Sequence, residues 1–169
     1  MKNIHTFVFA IVLFISFAFI SNAQIIITEI MYDLDGTDTG REWIEVKNTG
    51  TETVDLSLWK LFEANTNHKL TPVTSPTIPG GGFAIIADIP DKFKADNPTF
   101  SGLLFDSAFS LGNEGETLII RDQNSNDVDS VSYASSIGAG GDGNSLQRTT
   151  SGSWIATRIS IGSETTGTS

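Results

Sequence analysis

The chain has 169 residues, no cysteine, and 20 acidic against ten basic residues, which gives a formal net charge of −10. The missing cysteines exclude disulfides, thiolate nucleophiles and sulfur-ligated metals. The acidity, without any cluster of Lys or Arg, argues against a nucleic-acid partner, because such binding depends on cationic side chains that displace counterions from phosphates. The length suits one domain with a substantial core.

Residues 1–23 have the three parts of a secretory signal peptide. Lys2 supplies the positive start, FVFAIVLFISFAFI at 7–20 the apolar core, and SNA at 21–23 the small residues of a cleavage site. The alternative, an uncleaved membrane anchor, needs about 20 apolar residues, and this run is shorter. We therefore expect cleavage before Gln24, a mature chain of net charge −11, and a secreted or cell-surface location without membrane insertion.

After the signal, short β-rich runs recur between clusters of Gly, Asn, Asp, Pro and Thr, and no long segment has a 3.6-residue apolar period. This pattern predicts an all-β sandwich or barrel. The clearest runs, in chain order, are 25–32, 42–48, 56–62, 83–87, 117–121 and 128–133. PDKFKADNPTF at 90–100 predicts a short helix, limited by Pro98, or an irregular crossover, and DQNSND at 122–127 predicts a hairpin loop.

The run 42–48 fixes two strand faces by its alternation. Ile44 and Val46 share one face and are predicted to lie in the core, whereas Trp43, Glu45 and Lys47 share the other. We expect that second face to be a polar surface with an aromatic lid.

The loop before this run, DLDGTDTGRE at 33–42, contains Asp33, Asp35 and Asp38. These side chains are candidate metal ligands, since calcium prefers carboxylate and carbonyl oxygens. The loop lacks the ordered spacing and the distal glutamate of an EF-hand, and the alternative is a solvated turn. No cofactor other than calcium is expected.

Residues suited to catalysis are sparse. Once His5 leaves with the signal, His68 is the remaining histidine, and no GxSxG motif is present, so we expect no histidine-based active site. Glu42 and Glu45 point to opposite faces of a strand. Glu29 and Glu45 would form a glycosidase-like acid pair if their strands were neighbours, and the alternative is that they are strand-face acids satisfied by nearby cations or backbone N–H groups.

The mature chain contains three tryptophans and two tyrosines, Trp43, Trp59, Trp154, Tyr32 and Tyr133. This number suits the core and edge packing of a sandwich. One or two of these rings could also stack on a sugar, foremost Trp43 on its polar face. Glu29, Trp43 and Glu45 are therefore the candidate ligand-binding residues.

Five separated motifs appear in order between residues 25 and 148: IIITEIMYD, REWIEVKNTGTETVDLSLWKL, IPGGGFAIIA, FSLGNEGETLIIRDQNSNDVDSVSY and GDGNSLQR. With these motifs the chain resembles the lamin-tail domain family, known from nuclear lamins and from many exported bacterial proteins, and it looks like an exported bacterial member. The resemblance implies an immunoglobulin-like β-sandwich, in agreement with the strand pattern. It places the family's signature positions, mainly structural ones, at Glu29, Trp43, Glu45, Asn48, Leu56, Trp59 and 129–133.

Two departures from the family pattern stand out. Leu58 lies where the family usually has glycine, and TRISIGS at 157–163 replaces the usual Pro-Gly after the last tryptophan. We expect the domain to span 24–158 and to be followed by a polar tail or linker over 159–169, in which 161–169 has nothing that adds to a core.

The resemblance implies a noncatalytic binding or attachment module at the cell surface or outside the cell, because the family is usually found as an accessory unit. The expected partner is a protein or a surface polysaccharide, with its identity and the oligomeric state left open. Two alternatives remain: a small carboxylate-dependent hydrolase or an accessory domain of one, and a structural spacer or assembly module.

Overall fold

The computed structural model describes residues 25–166, so the predicted signal peptide at 1–23 and the last three residues lie outside the described part. The described residues form 13 strands, one α-helix and one short 3₁₀-helix. The strands are β1 (Ile25–Met31), β2 (Trp43–Asn48), β3 (Val54–Asp55), β4 (Lys60–Glu63), β5 (Thr66–Lys69), β6 (Thr71–Pro72), β7 (Thr77–Ile78), β8 (Phe83–Ala87), β9 (Leu103–Asp106), β10 (Thr117–Arg121), β11 (Asp127–Ser132), β12 (Asn144–Arg148) and β13 (Trp154–Arg158). The helix α1 is Pro90–Asp96 and the 3₁₀-helix is Ser135–Ile137.

Within residues 25–166 two large sheets pack face to face. The first has seven strands in the order β13-β12-β1-β2-β8-β9-β6, and the second has four in the order β11-β10-β4-β5. A two-stranded ribbon joins β3 to β7. The predicted all-β, immunoglobulin-like β-sandwich is confirmed.

The main core fills the space between the two large sheets. Ile44 and Val46 enter it from β2, and Leu61, Leu118 and Ile120 enter it from the opposite sheet. These five side chains are completely buried, as the period-2 pattern of their strands requires. The predicted core face of β2 is therefore confirmed.

A second apolar cluster covers the other face of the seven-stranded sheet, and it overturns the prediction that this face of β2 is a polar surface. Trp43 lies inside this cluster with Met31, Ile85 and Phe93. The helix α1 begins with Pro90 and turns Phe93 onto the sheet, where its ring meets Trp43 edge-on at 5.8 Å between centroids. The face is buried because the segment between β8 and β9 returns over it as a helix, which alternation within one strand does not reveal.

The predicted strand at 56–62 is wrong in its first half. Residues 56–59 form a turn in which Trp59 N–H donates to the Leu56 carbonyl and Asp55 Oδ1 accepts from Ser57. Strand pairing begins at Lys60, and β4 then continues into β5 through a two-residue turn. Ala64 and Asn65 have φ angles of 44° and 61° in that turn, the conformation of a tight hairpin. The hairpin brings β5 to the edge of the four-stranded sheet.

Residues 159–166 lie against the seven-stranded sheet rather than apart from it. Ile161 packs on the second apolar cluster, contrary to the expectation that this segment adds nothing to a core. Thr165 bridges to Thr149 beside the β12–β13 turn. The segment is therefore part of the packed structure up to the last described residues.

The remaining local predictions concern the helix, the hairpin loop and the membrane. The predicted short helix within 90–100 is confirmed as α1, and the loop at 122–127 joins β10 to β11 as a hairpin. Among residues 25–166, no helix has the length and apolar character needed to cross a bilayer.

Candidate functional site

Two glutamates from neighbouring strands lie side by side in the seven-stranded sheet. β1 and β2 pair antiparallel with Glu29 opposite Glu45, so both side chains share the face of Trp43. A bulge between Ile27 and Glu29 shifts the register just before this pair. Both glutamates are 1% exposed. The sequence left open whether their strands were neighbours, and the structure brings the two acids together.

The carboxylate of Glu29 accepts four hydrogen bonds from residues much later in the chain. Ser145 Oγ and Gln147 Nε2 donate to Oε1 at 2.5 and 3.2 Å. Ser160 donates its N–H to Oε1 and its hydroxyl to Oε2, each at 3.2 Å. Burial raises the pKa of Glu29, and these hydrogen bonds oppose the rise because they favour the charged form.

Glu45 has fewer partners than Glu29. Thr28 Oγ1 donates to Oε1 at 2.8 Å, and the N–H of Gly162 donates to Oε2 at 2.5 Å. Burial raises the pKa of Glu45 to about 7, and the negative charge of Glu29 acts in the same direction. At neutral pH both the protonated and the ionised form of this carboxyl group are therefore populated.

Residues 160–165 cover both acids. Besides Ser160 and Gly162, Glu164 pairs with Lys47 of β2, and Thr165 Oγ1 donates to Gln147 Oε1. The cavity beside Glu45 holds about 60 Å³, far less than the roughly 300 to 1,000 Å³ of an ordinary ligand pocket. The two carboxylates thus belong to an internal hydrogen-bond network, whereas a glycosidase pair must flank an open cleft.

Trp43, the third candidate ligand-binding residue, lies in the second apolar cluster and is 1% exposed. Its ring contacts Phe93 and has no free face for a sugar. Trp59 is the tryptophan that lines a surface depression, beside the exposed Leu58. The period-2 pattern places Trp43 on the outer face of β2, which made it a candidate for sugar contact. The pattern cannot show that a helix covers this face.

The aspartate loop is organised around Arg41. The Arg41 guanidinium donates to the carbonyls of Asp35 and Thr37 at 3.2 and 2.9 Å, and to both carboxylate oxygens of Asp96 at 2.8 and 3.2 Å. Asp38 accepts from Asn113 at 3.0 Å. Residues 25–166 contain no group of three or more His, Cys, Asp or Glu side chains placed to hold a metal ion, so Asp33, Asp35 and Asp38 do not converge there.

Acidic side chains also secure the loop between β9 and β10 at one end of the sandwich. The backbone N–H groups of Phe109, Leu111 and Gly112 donate to Asp88, Glu42 and Glu116 in turn. Burial raises the pKa of Glu42 to about 7, and nearby carboxylates act in the same direction. This loop is thereby held by carboxylates, each of which satisfies a backbone donor.

Other residues at the family's signature positions also have structural roles. Asn48 is buried, and its side-chain amide donates to the carbonyls of Glu52 and Ile78 at 2.7 and 3.1 Å, while its oxygen accepts from Gly50. Asp129 accepts from the N–H of Ile27 at 2.8 Å and so links the two large sheets. These contacts satisfy backbone groups that turns and bulges leave unpaired.

Within residues 25–166, two surface regions stand out as having room for a ligand, and sequence reasoning missed both. A groove of about 450 Å³ lies between the outer face of β1 and the β12–β13 turn, and hydroxyl side chains dominate its walls. The second region runs along β5, which the sequence did not predict as a strand. The single available signal was the polar stretch ANTNHKLTP around His68.

A family model described as the Lamin Tail Domain matches residues 20–135. The chain belongs to the lamin tail domain family. The match covers most of the chain, from before β1 to the end of β11, and it agrees with the immunoglobulin-like sandwich found in the structure. A comparison with curated proteins finds no match.

Membership of this family suggests a noncatalytic module with an immunoglobulin-like fold. In this lamin tail domain the buried carboxylates have a structural role, because Glu29, Glu42 and Glu45 accept hydrogen bonds from other residues of the domain.

Proposed function

We propose that this lamin tail domain is an exported, noncatalytic binding or attachment module of the bacterial type, acting at the cell surface or outside the cell. Its partner is a protein or a surface polysaccharide. The observation that carries the proposal is the use of Glu29 and Glu45, the two acids that a hydrolase would need, in an internal network beneath residues 160–165.

Export is supported by the order of features at the start of the chain. Lys2, the apolar run at 7–20 and the small residues at 21–23 stand directly before β1, so cleavage would release the complete set of described strands. In this proposal the domain spans 24–158, and 159–169 is a polar tail or linker whose first part folds back over Glu29 and Glu45.

Two measurements test the proposal separately. Expression of the full chain with a C-terminal tag, followed by fractionation, should give a product that begins at Gln24 and lies outside the cytoplasm. Product retained in the cytoplasm with its first 23 residues would contradict export.

The binding claim is tested by immobilising the 24–169 product and measuring how much cell-surface protein and polysaccharide it retains. An unrelated acidic protein of similar size serves as the control, because net charge alone retains some polymers. Retention no greater than the control would contradict the attachment function. Assembly of purified 24–169 into defined oligomers, with no surface material retained, would instead favour the structural spacer.

A further inference from the structure

Two adjoining depressions run along the edge strand β5. The first holds about 340 Å³ and is lined by Asn67, His68, Lys69, Thr71, Asp106, Ser107 and Ala108. The second holds about 290 Å³ and is lined by Ser57, Leu58, Trp59, Lys60, Asn67 and Lys69. Asn67 and Lys69 line both, so the two depressions form one continuous surface, which we call the β5 surface.

The polar end of the β5 surface offers both donors and acceptors of hydrogen bonds. Asp106 is exposed at the end of β9 and supplies a carboxylate, and Lys69 supplies an ammonium group. Asn67 Oδ1 accepts from Arg121 at 3.1 Å, which leaves its amide hydrogens to donate elsewhere. Such a mixture suits hydroxyl groups, because each hydroxyl donates one hydrogen bond and accepts others.

Ser107 provides a separate indication of a ligand. The residue is 2% exposed and lines the polar depression, yet its hydroxyl has no hydrogen-bond partner among residues 25–166. A buried hydroxyl without a partner is costly, by about 1–3 kcal/mol, and most such groups in proteins are paired. A polar ligand in the depression, or a water beneath one, would satisfy it.

The other end of the β5 surface is apolar. Leu58 is 65% exposed, the most exposed large hydrophobic side chain among the described residues, and it stands next to Trp59. The turn at 56–59, closed by the Trp59 N–H on the Leu56 carbonyl, sets the backbone here. Trp59 belongs to the main core and is 9% exposed, so only this small exposed part lines the depression beside Leu58. Apolar surface beside convergent polar groups is the usual composition of a small-molecule site.

We propose that the β5 surface binds a neutral polysaccharide chain, with hydroxyl groups of one sugar at Asn67, Asp106 and Ser107 and the apolar face of a neighbouring sugar on Leu58 and Trp59. The ligand is a chain because two depressions adjoin in a row, and a sugar residue presents both hydroxyls and C–H faces. It is neutral because the charges that line the β5 surface nearly cancel, with Lys60 and Lys69 against Asp106, and because the whole protein, at a formal net charge of −10, repels an anionic polymer. This inference rests on the proposed attachment function and names its ligand class.

The test is affinity electrophoresis of the 24–169 product in native gels that contain soluble xylan, laminarin or glucomannan, with alginate as the anionic comparison. We expect at least one neutral polymer to slow the protein and alginate to leave it unaffected. The double variant Asn67→Ala/Asp106→Ala and the single variant Leu58→Ser should each weaken binding about tenfold, which corresponds to about 1.4 kcal/mol. Thermal unfolding of each variant confirms that it is folded.

The matched control is Thr150→Ala/Ser151→Ala in the larger groove between β1 and the β12–β13 turn, which shares no lining residue with the β5 surface. We expect this control to bind like wild type. Loss of binding in the control alone, or equal binding by all variants, would overturn the assignment to the β5 surface.

Periodate oxidation of surface material separates this inference from the attachment function, because it destroys vicinal diols and leaves most of the polypeptide intact. If retention on 24–169 disappears after oxidation, a glycan ligand is supported. If retention survives oxidation and is removed by protease, the partner is a protein: the attachment function stands and the polysaccharide inference fails. No retention before oxidation contradicts the attachment function itself.

Discussion

Glu29 and Glu45 lie opposite each other on the paired strands β1 and β2, and both carboxyl groups are buried beneath residues 160–165. Burial raises the pKa of both, that of Glu45 to about 7. An unfolded glutamate has a pKa of about 4.3. Between these values the folded state binds more protons than the unfolded state, so the free energy of unfolding falls as pH rises.

We therefore predict that the domain is more stable at about pH 5 than at about pH 8, by on the order of 1–3 kcal/mol from Glu45. Glu42, whose pKa burial also raises to about 7, contributes in the same direction. The measurement is thermal unfolding followed by circular dichroism across this range. Glu45→Gln should make the stability depend less on pH, and this variant should be more stable than wild type at about pH 8. Glu52→Gln, at an exposed position, is the control and should run parallel to wild type.

Truncation after Arg158 should destabilise the domain, because it removes the N–H of Ser160 from Glu29 and the N–H of Gly162 from Glu45. Loss of these bonds and of the Ile161 packing should cost about 2–4 kcal/mol. Denaturant unfolding measures the change, and truncation after residue 166 is the matched control. Equal midpoints for the two truncated chains would show that the segment does not hold these acids.

Replacement of Arg41 tests the organisation of the aspartate loop. Arg41→Ala removes a two-point ion pair with Asp96 and two hydrogen bonds to loop carbonyls, and it should cost about 1–2 kcal/mol. Arg41→Lys keeps the charge but cannot make the forked contact, so it should fall between Ala and wild type. A lysine variant as stable as wild type would mean that charge alone orders the loop.

The calcium hypothesis for Asp33, Asp35 and Asp38 has its own measurement. Because Arg41 occupies the carbonyls of this loop and Asp38 is bound to Asn113, we expect millimolar calcium to leave the melting temperature unchanged. Asp33→Ala should behave in the same way as wild type. A rise that a chelator reverses, and that Asp33→Ala abolishes, would establish the calcium site instead.

Trp43 should matter for stability and not for binding. Trp43→Phe leaves part of the space between Met31 and Phe93 unfilled and should cost about 1–3 kcal/mol, while retention of neutral polysaccharide stays at the wild-type level. Affinity electrophoresis and thermal unfolding of the same preparation give both values. If a folded Trp43→Phe protein no longer binds the polysaccharide, Trp43 is the residue that contacts the sugar.

The sandwich could be predicted because its central strands carry both alternation and turn residues. Phe83–Ala87 and Thr117–Arg121 were predicted at their observed bounds. The strands that escaped prediction, such as β5 and β12, are polar and take their place by pairing with neighbours rather than by apolar pattern. Sequence alternation also cannot show that a distant segment covers a face, and so Trp43 was the foremost candidate for sugar stacking even though the set of aromatic rings suited a core.

The glutamate pair shows the same limit at the level of the site. Glu29 and Glu45 are candidates from the sequence, which left open whether their strands were neighbours, and the structure pairs them. Their covering by Ser160 and Gly162 depends on contacts across more than a hundred residues. No local signal carries that information, whereas the hairpin loop at 122–127 was readable from its own residues.

The meeting of Glu29 with Ser160, 131 positions later, also has a consequence for the order of folding. Contacts between residues so far apart form late, since closure of the chain between them must come first. While the chain is being made, the Glu29 carboxylate lacks its full set of partners until synthesis has passed residue 160. The nascent domain therefore stays incomplete until both of its ends are available, a state in which a polypeptide can still be threaded through a narrow channel.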